Sequence, residues 1–275
     1  MGPQISIVVP VHNAAAYIRE TMLSVFDQSL RDWELLLIDD ASTDGSVAVI
    51  RETAEEAGIP LYNLPLLERE DPWEREENKK RTGEVILLRL REKRGAAGAR
   101  NVGIRAAAGR FLAFLDADDL WLPEKLFLET SFIRDTGTAF AFTAYEFGNE
   151  KAERTGKIVH APRELDFKRA LTRTVIFTST VMFDLQKITR DEILMEKIAS
   201  EDTATWWRIL KSGRTARGLD SVLTIYRRPA RSLSSNKGVA VKRIWNLYRR
   251  VAGLSAAKSL CCMAGWAVRA TLRRI

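Results

Sequence analysis

An α/β fold is predicted by three observations: short, continuously apolar runs, helical spacing between them, and turn residues where one gives way to the other. Residues 5–11, 34–38, 85–90 and 111–115 are aliphatic or β-branched almost throughout, too uniformly apolar for strands with one face in water. Such strands belong to a parallel sheet covered by helices on both faces.

The elements follow in order. Ile5 to Val11 is the first strand, and residues 15–26 repeat apolar side chains at helical spacing through Ile18, Met22, Val25 and Phe26. The second strand, 34–38, precedes a helix over about 46–57, and the scheme recurs as strand 85–90, helix 97–107 and strand 111–115. Residues 61–84 break the pattern with a charged stretch, LEREDPWEREENKKRTGE, and with Pro65 and Pro72, which predicts an inserted loop or hairpin. Short strands and turns mix over 140–181, a helix is expected from about Thr203 to Lys211 ending at Gly213, and helical segments follow over 239–251 and 256–273. The chain divides into a main unit over 1–235, in two parts at 1–130 and 131–235, and a basic amphipathic extension over 236–275.

With 275 residues and 46% hydrophobic composition, the chain can build a real core, and disorder throughout is excluded. No run reaches the ~20 apolar residues of a membrane-spanning helix. The start, Met1-Gly2-Pro3-Gln4, enters a strand at once without a basic leader, so a cytoplasmic protein is expected. Two adjacent cysteines, Cys261 and Cys262, and two histidines, His12 and His160, do not make a structural zinc site. The net charge of +7 is unevenly placed: 31 basic and 36 acidic residues lie up to Asp220, then twelve basic residues and no acid. The positive charge is therefore a property of the tail, and nucleic acid is not an expected partner.

Chemistry concentrates at strand ends. In FLAFLDADDLWLP (111–123) a strand ends in Asp116, Asp118 and Asp119. Crowded carboxylates suit a hard divalent cation, Mn²⁺ or Mg²⁺, or they form a solvated turn with Asp119 capping the next helix near Pro123. Asp39 and Asp40 end the second strand and either meet a nucleobase or ribose or simply cap and turn. Pro10 and Asn13 shape the end of the first strand, so three strand ends place polar groups at one rim, where ligands of α/β sheets bind. RGAAGARNVG (94–103) opens a helix with small residues, and its N-terminus favours phosphate. Arg94, Arg100 and Asn101 are candidates there, Arg100 alternatively as partner of a buried carboxylate.

Taken together, IVVPVHN, LLLIDDASTDGS, GARNVGI and AFLDADDLWLP resemble the nucleotide-binding half of family 2 glycosyltransferases with the GT-A fold, over about the first 130 residues less the 61–84 stretch. That resemblance implies a Rossmann-like mixed sheet flanked by helices, Asp118 as direct metal ligand with Asp116 near metal or ribose, and Asp39 on base or ribose. Pro10, Asn13, Asp40, Arg94, Arg100, Asn101, Ala117 and Lys237 complete the implied nucleotide-sugar contacts. It also implies that Asp202, in SEDTATWW (200–207), is the general base of an inverting transfer, with helix capping as its other reading. Glu201, Trp206, Trp207 and Trp121 are then candidates for the acceptor side, Trp206 and Trp207 alternatively for the core. HAP around His160, TVMFD ending at Asp184, EDTATWW and SLSSNK extend the resemblance to bacterial enzymes of the teichuronic acid biosynthesis glycosyltransferase type.

The expected function is transfer of a sugar from a nucleotide donor, a UDP-sugar, to a glycan or lipid-linked glycan acceptor in cell-surface polysaccharide synthesis. The basic extension either docks on the catalytic unit or lies on the anionic inner face of the cell membrane. Two other classes compete: a nucleotidyltransferase acting on sugar phosphates, and a non-catalytic membrane or nucleic-acid adaptor. Release of a nucleoside diphosphate separates the first reading from pyrophosphate-releasing nucleotidyl transfer.

Overall fold

The computed structural model describes residues 3–63, 82–228 and 237–272. The first half comprises β1 (Ile5–Val11), α1 (Ile18–Phe26), β2 (Trp33–Asp39), α2 (Ser46–Glu56), β3 (Leu61–Asn63), β4 (Glu84–Arg89), α3 (Gly95–Ala106), β5 (Phe111–Phe114), β6 (Leu120–Trp121) and α4 (Lys125–Thr136). The second comprises β7 (Phe140–Gly148), β8 (Arg154–Val159), β9 (Glu164–Leu165), α5 (Phe167–Ala170), β10 (Val181–Asp184), α6 (Arg190–Ile193), α7 (Glu201–Lys211) and β11 (Ala216–Arg227). After these come α8 (Lys237–Asn246), a π-helical turn (Leu247–Val251) and α9 (Ala256–Leu272).

One mixed sheet runs β3-β4-β2-β1-β5-β10-β7-β11-β6, with β8 on β7 and β9 on β11. The strands from β3 to β5 are all parallel. β10 then runs antiparallel between β5 and β7, so a strand from late in the chain joins the two halves. Side chains alternate across the sheet, as extended strands require. Ile7, Val9, Leu35, Leu37 and Leu87 face one apolar cluster with α1 and α4, while Val8, Leu36, Ile38, Ile86 and Leu88 face another with α3 and α7. Gly103 lets α3 lie directly on β1, since a Cβ there would come within 2.3 Å of Val8 Cγ1.

Three boundaries differ from expectation. The stretch expected as a loop from Leu61 begins as β3, an edge strand parallel to β4; residues 64–81 lie outside the described residues. α7 starts at Glu201 instead of Thr203, because Ser200 takes a left-handed conformation (φ 61°) as its N-cap, and both acids fall in the first turn, where the helix dipole favours them. α4 is preceded by Glu124, not capped by Asp119. The C-terminal extension is partly core: Tyr248 in the π turn is fully buried, stacks on Trp207 with ring centroids 5.4 Å apart, and donates its hydroxyl to the Leu171 carbonyl at 2.6 Å. Among the described residues no helix is long and apolar enough to cross a membrane.

Candidate active site

Parallel pairing of β2, β1 and β5 brings their carboxyl ends to one rim. Val11 lies in register with Asp39, and Asp39 with Arg89, so the ends of β1, β2 and β4 are level. Asn13 turns the chain away from β1 with a left-handed backbone (φ 51°), and its side-chain oxygen accepts the Thr43 N–H at 2.9 Å. Pro10 sits half-buried beside this turn. Asp39 is buried, accepts the Ser42 N–H at 3.2 Å and lies 3.7 Å from Arg89 Nε. Asp40 is also buried, and its two oxygens accept the Arg94 and Gly95 N–H groups at 2.6 and 2.8 Å. Asp40 thus brackets the start of α3 to the end of β2, as its capping reading has it.

The segment after β5 holds the densest charge. Asp116 accepts Arg100 Nη2 at 2.6 Å, and Arg100 Nη1 donates to Glu201 at 2.8 Å. Arg100 is 5% exposed, and the two carboxylates outweigh the desolvation that opposes its charge, so it stays firmly protonated. It therefore ties the end of β5 to the first turn of α7 as a forked pair that a lysine cannot copy. Asp118 is pushed up to about 6, chiefly by burial and then by the Asp116 charge. Asp119 is fully buried and raised well above its ordinary value by that burial and then by the Asp118 and Asp116 charges, accepting from Ser179 Oγ at 2.5 Å and from the Arg227 N–H at 3.1 Å. Ala117 carries the Asp116–Asp118 turn, its carbonyl accepting the Thr21 hydroxyl at 2.9 Å.

Asp202 lies in the first turn of α7. Its Oδ1 accepts the Thr203 N–H at 2.6 Å and its Oδ2 the Thr178 hydroxyl at 3.2 Å. Burial and then the adjacent Glu201 raise its carboxyl above the ordinary value, against the pull of Thr203 N–H and Arg100. A carboxylate so held can accept a proton from a hydroxyl brought alongside it.

Two groups here have no counterpart in the sequence reading. Thr178 and Ser179, in a single 3₁₀ turn before β10, hold Asp202 on one side and Asp119 and the Asp116 N–H (3.0 Å) on the other. Arg227, 3% exposed, donates from Nε to the Asp118 carbonyl at 2.7 Å and pairs with Glu20. Their partners lie from 24 to 207 positions away in sequence, so no local spacing announces them.

The aromatic candidates are corrected. Trp206 and Trp207 are each 2% exposed, packed respectively against Phe140 and Tyr248. Trp121 is 3% exposed, with its indole N–H on the Ser179 carbonyl at 2.7 Å. All three are core: α7 is covered by the sheet on one side and by the π turn on the other, and Trp121 of β6 packs in the cluster on the opposite face of the sheet. Half-exposed aromatic surface is offered instead by Phe147, Phe177 and Tyr226, with Phe177 and Tyr226 centroids 4.1 Å apart. Tyr226 is raised by burial and by the nearby Asp119 and Asp116 charges, which puts this cluster beside the carboxylates. The Asn101 amide exchanges two hydrogen bonds with the Met195 backbone, at 2.7 and 2.8 Å, and so pins the segment before α7. The side chain of Lys237 and residues 231–236 lie outside the described residues.

Among the described residues no three His, Cys, Asp or Glu side chains converge into a ready metal cage. The donor set at the end of β5 nevertheless fits a hard cation. Two carboxylates with water and phosphate completing the shell is the usual mode for Mg²⁺, and the raised Asp118 marks negative charge that a cation would relieve.

A parallel half-sheet with carboxylates at its strand ends, joined through an antiparallel strand to a second, mixed half, is the architecture of a GT-A glycosyltransferase. The chain belongs to glycosyl transferase family 2, whose profile matches residues 6–65 and 71–196. A Bacillus subtilis protein named for teichuronic acid biosynthesis, the glycosyltransferase TuaG, is 34% identical over 99% of this chain and 98% of its own length. The Escherichia coli UDP-Glc:alpha-D-GlcNAc-diphosphoundecaprenol beta-1,3-glucosyltransferase WfgD is 30% identical over 88% of this chain and 84% of its own. Among solved structures, S. aureus TarS 1-349 in complex with UDP superposes with a TM-score of 0.63 at 16% identity, covering 96% of this chain and 70% of that one. The mannosyltransferase PcManGT of Pyrobaculum calidifontis, solved with GDP-Man and Mn²⁺, gives 0.64 at 18% identity, covering 99% and 76%.

Proposed function

We propose that this chain is an inverting, metal-dependent glycosyltransferase that moves a sugar from a UDP-sugar to a hydroxyl of a lipid-linked glycan during cell-surface polysaccharide assembly, working at the inner face of the cell membrane. The observation that carries the reading is the Arg100 fork, which holds the acidic end of β5 against the first turn of α7, where Asp202 waits. The donor and acceptor classes are supported by the Escherichia coli relative, whose name states a UDP-Glc donor and a diphosphoundecaprenol acceptor.

In this mechanism the acceptor hydroxyl attacks the anomeric carbon as Asp202 Oδ2 takes its proton. The new C–O bond forms on the face opposite the breaking bond to the diphosphate, so an α-linked donor gives a β-linked product and UDP leaves. The Thr178 hydroxyl and Thr203 N–H orient the Asp202 carboxylate for that transfer. Asp118 and Asp116 would hold Mn²⁺ or Mg²⁺, which supplies charge neutralisation for the departing diphosphate. Asp39, with the Asn13 turn beside it, meets the nucleoside, and Phe177 and Tyr226 offer flat faces to the acceptor sugar.

The test is product analysis with a panel of UDP-sugars, Mn²⁺ and a GlcNAc-diphospho-lipid acceptor. UDP release with a β-linked product is expected, and pyrophosphate would assign nucleotidyl transfer instead. Asp202→Asn should keep donor binding and lower turnover by about 10²–10⁴-fold. Full turnover in that variant would remove Asp202 from the mechanism.

A further inference from the structure

α9 departs from the pattern of a helix on a soluble domain. A surface helix ordinarily turns charge outward and apolar residues inward. Between Lys258 and Arg269 the α9 sequence SLCCMAGWAV carries no charge at all. Its inner side is fully accounted for: Ser259 is buried, Cys262, Met263 and Trp266 pack on the core, and the Trp266 indole N–H donates to the Thr174 hydroxyl at 3.3 Å. The opposite side is exposed and apolar, with Leu260 55% and Val268 60% exposed and Ala257, Cys261 and Ala264 on the same stripe. Those positions recur at intervals of three and four, so they form one continuous face.

Beside that stripe, a groove of about 1260 Å³ runs between α9 and the segment around α5, floored by Phe167, Leu171 and Leu254. Lys168, Arg169, Arg173 and Lys258 line it and are exposed, and none makes an ion pair with a carboxylate among the described residues. Its two acids are already engaged: Glu164 pairs with Arg217 at 3.0 Å, and Asp166 caps α5 by accepting the Arg169 N–H at 2.7 Å. The groove is thus apolar below and cationic at its lip. An apolar stripe flanked by uncompensated cations is complementary to the headgroup–acyl boundary of an anionic bilayer, and to little that is freely soluble. On α8 the exposed apolar residue Val241 is followed at once by Lys242 and Arg243, and Ile244 belongs to the core with Leu247 and Tyr248 of the turn that follows.

We infer that the outer face of α9 and the cationic groove beside it seat the enzyme on an anionic phospholipid surface, with lipid phosphates at Lys168, Arg169, Arg173 and Lys258 and Leu260 and Val268 among the acyl chains. The inference rests on the lipid-linked acceptor reading for its purpose, while its geometry is independent of the transfer chemistry.

Vesicle co-sedimentation of the full chain tests it, using phosphatidylglycerol/phosphatidylcholine mixtures against phosphatidylcholine alone. Sedimentation only with the anionic vesicles, weakening as salt is raised, is expected. Leu260→Glu with Val268→Glu, and separately Lys168→Glu with Lys258→Glu, should each cut the bound fraction at least tenfold without shifting the melting temperature. Neither pair should change UDP release with a water-soluble acceptor analogue. Wild-type protein left in the supernatant with anionic vesicles, or held equally by neutral ones, overturns the inference. Folded variants that still bind as wild type overturn its location. A chain that binds vesicles but releases no UDP from any donor would instead sink the transfer reading and leave this one standing.

Discussion

Arg100 carries more of the site than any other single side chain, since one guanidinium serves carboxylates from both halves of the chain. Replacing it by Lys leaves one of the two unpaired. Arg100→Lys should therefore lower turnover more than donor affinity, and Arg100→Ala should cost roughly 3 kcal/mol of stability, the lower end for breaking a buried pair because Asp116 and Glu201 keep some solvent contact. Urea denaturation and steady-state kinetics measure the two effects; an Arg100→Ala protein of wild-type stability would deny the bridge its role. Phe177 makes a separable claim. Phe177→Ala should raise the acceptor KM by about 2–10-fold, the scale of one aromatic face, with donor KM unchanged. An effect confined to the donor would place the acceptor elsewhere. At this scale the carboxylates were legible in the sequence, because Asp116 and Asp118 need only a strand end to be brought to the rim. Thr178, Ser179 and Arg227 were not legible, because their function consists of contacts across the fold.

Elements show where periodicity informs and where it misleads. The strands and the helices between them were readable, because burial on both faces demands unbroken apolar runs. The Trp206-Trp207 pair was not: the sequence leaves both rings open between the acceptor side and the core. α7 is instead covered on two sides, and both rings are buried. Helix α6 is pinned by a reciprocal capping box between Thr189 and Glu192. The Thr189 N–H, opposed by partial burial and helped by Arg214, holds the Glu192 carboxyl below its ordinary value. A lowered acid stabilises the fold above its unfolded pKa, and that contribution is lost as pH falls through the folded one. The urea midpoint of wild type should therefore exceed that of Glu192→Gln at pH 7, with the gap closing below about pH 4.5. A gap that stays constant down to pH 3 would show that the charge of Glu192 contributes nothing.

The whole molecule depends on its C-terminal extension in a way that charge counting did not reveal. The absence of acid after Asp220 left the tail open between docking on the main unit and lying on a membrane, and Tyr248 docks: it closes the core over Trp207 and Leu171. Burying one such ring contributes about 1.5–3 kcal/mol. A chain ending at residue 236 should melt well below the full-length protein, whereas one ending at residue 255, which keeps Tyr248, should lose far less. Equal melting temperatures for the two truncations would mean that the π turn is not part of the core. The sheet carries a longer consequence. β10 is made after β7 but inserted between β7 and β5, so the parallel strands have no finished edge on the β5 side until residue 184 has been laid down. A crossover between related genes near residue 130 would unite a bare β5 with a foreign β10 that must match its register. Shuffled chimeras should therefore fail to assemble far more often than variants altered one loop at a time.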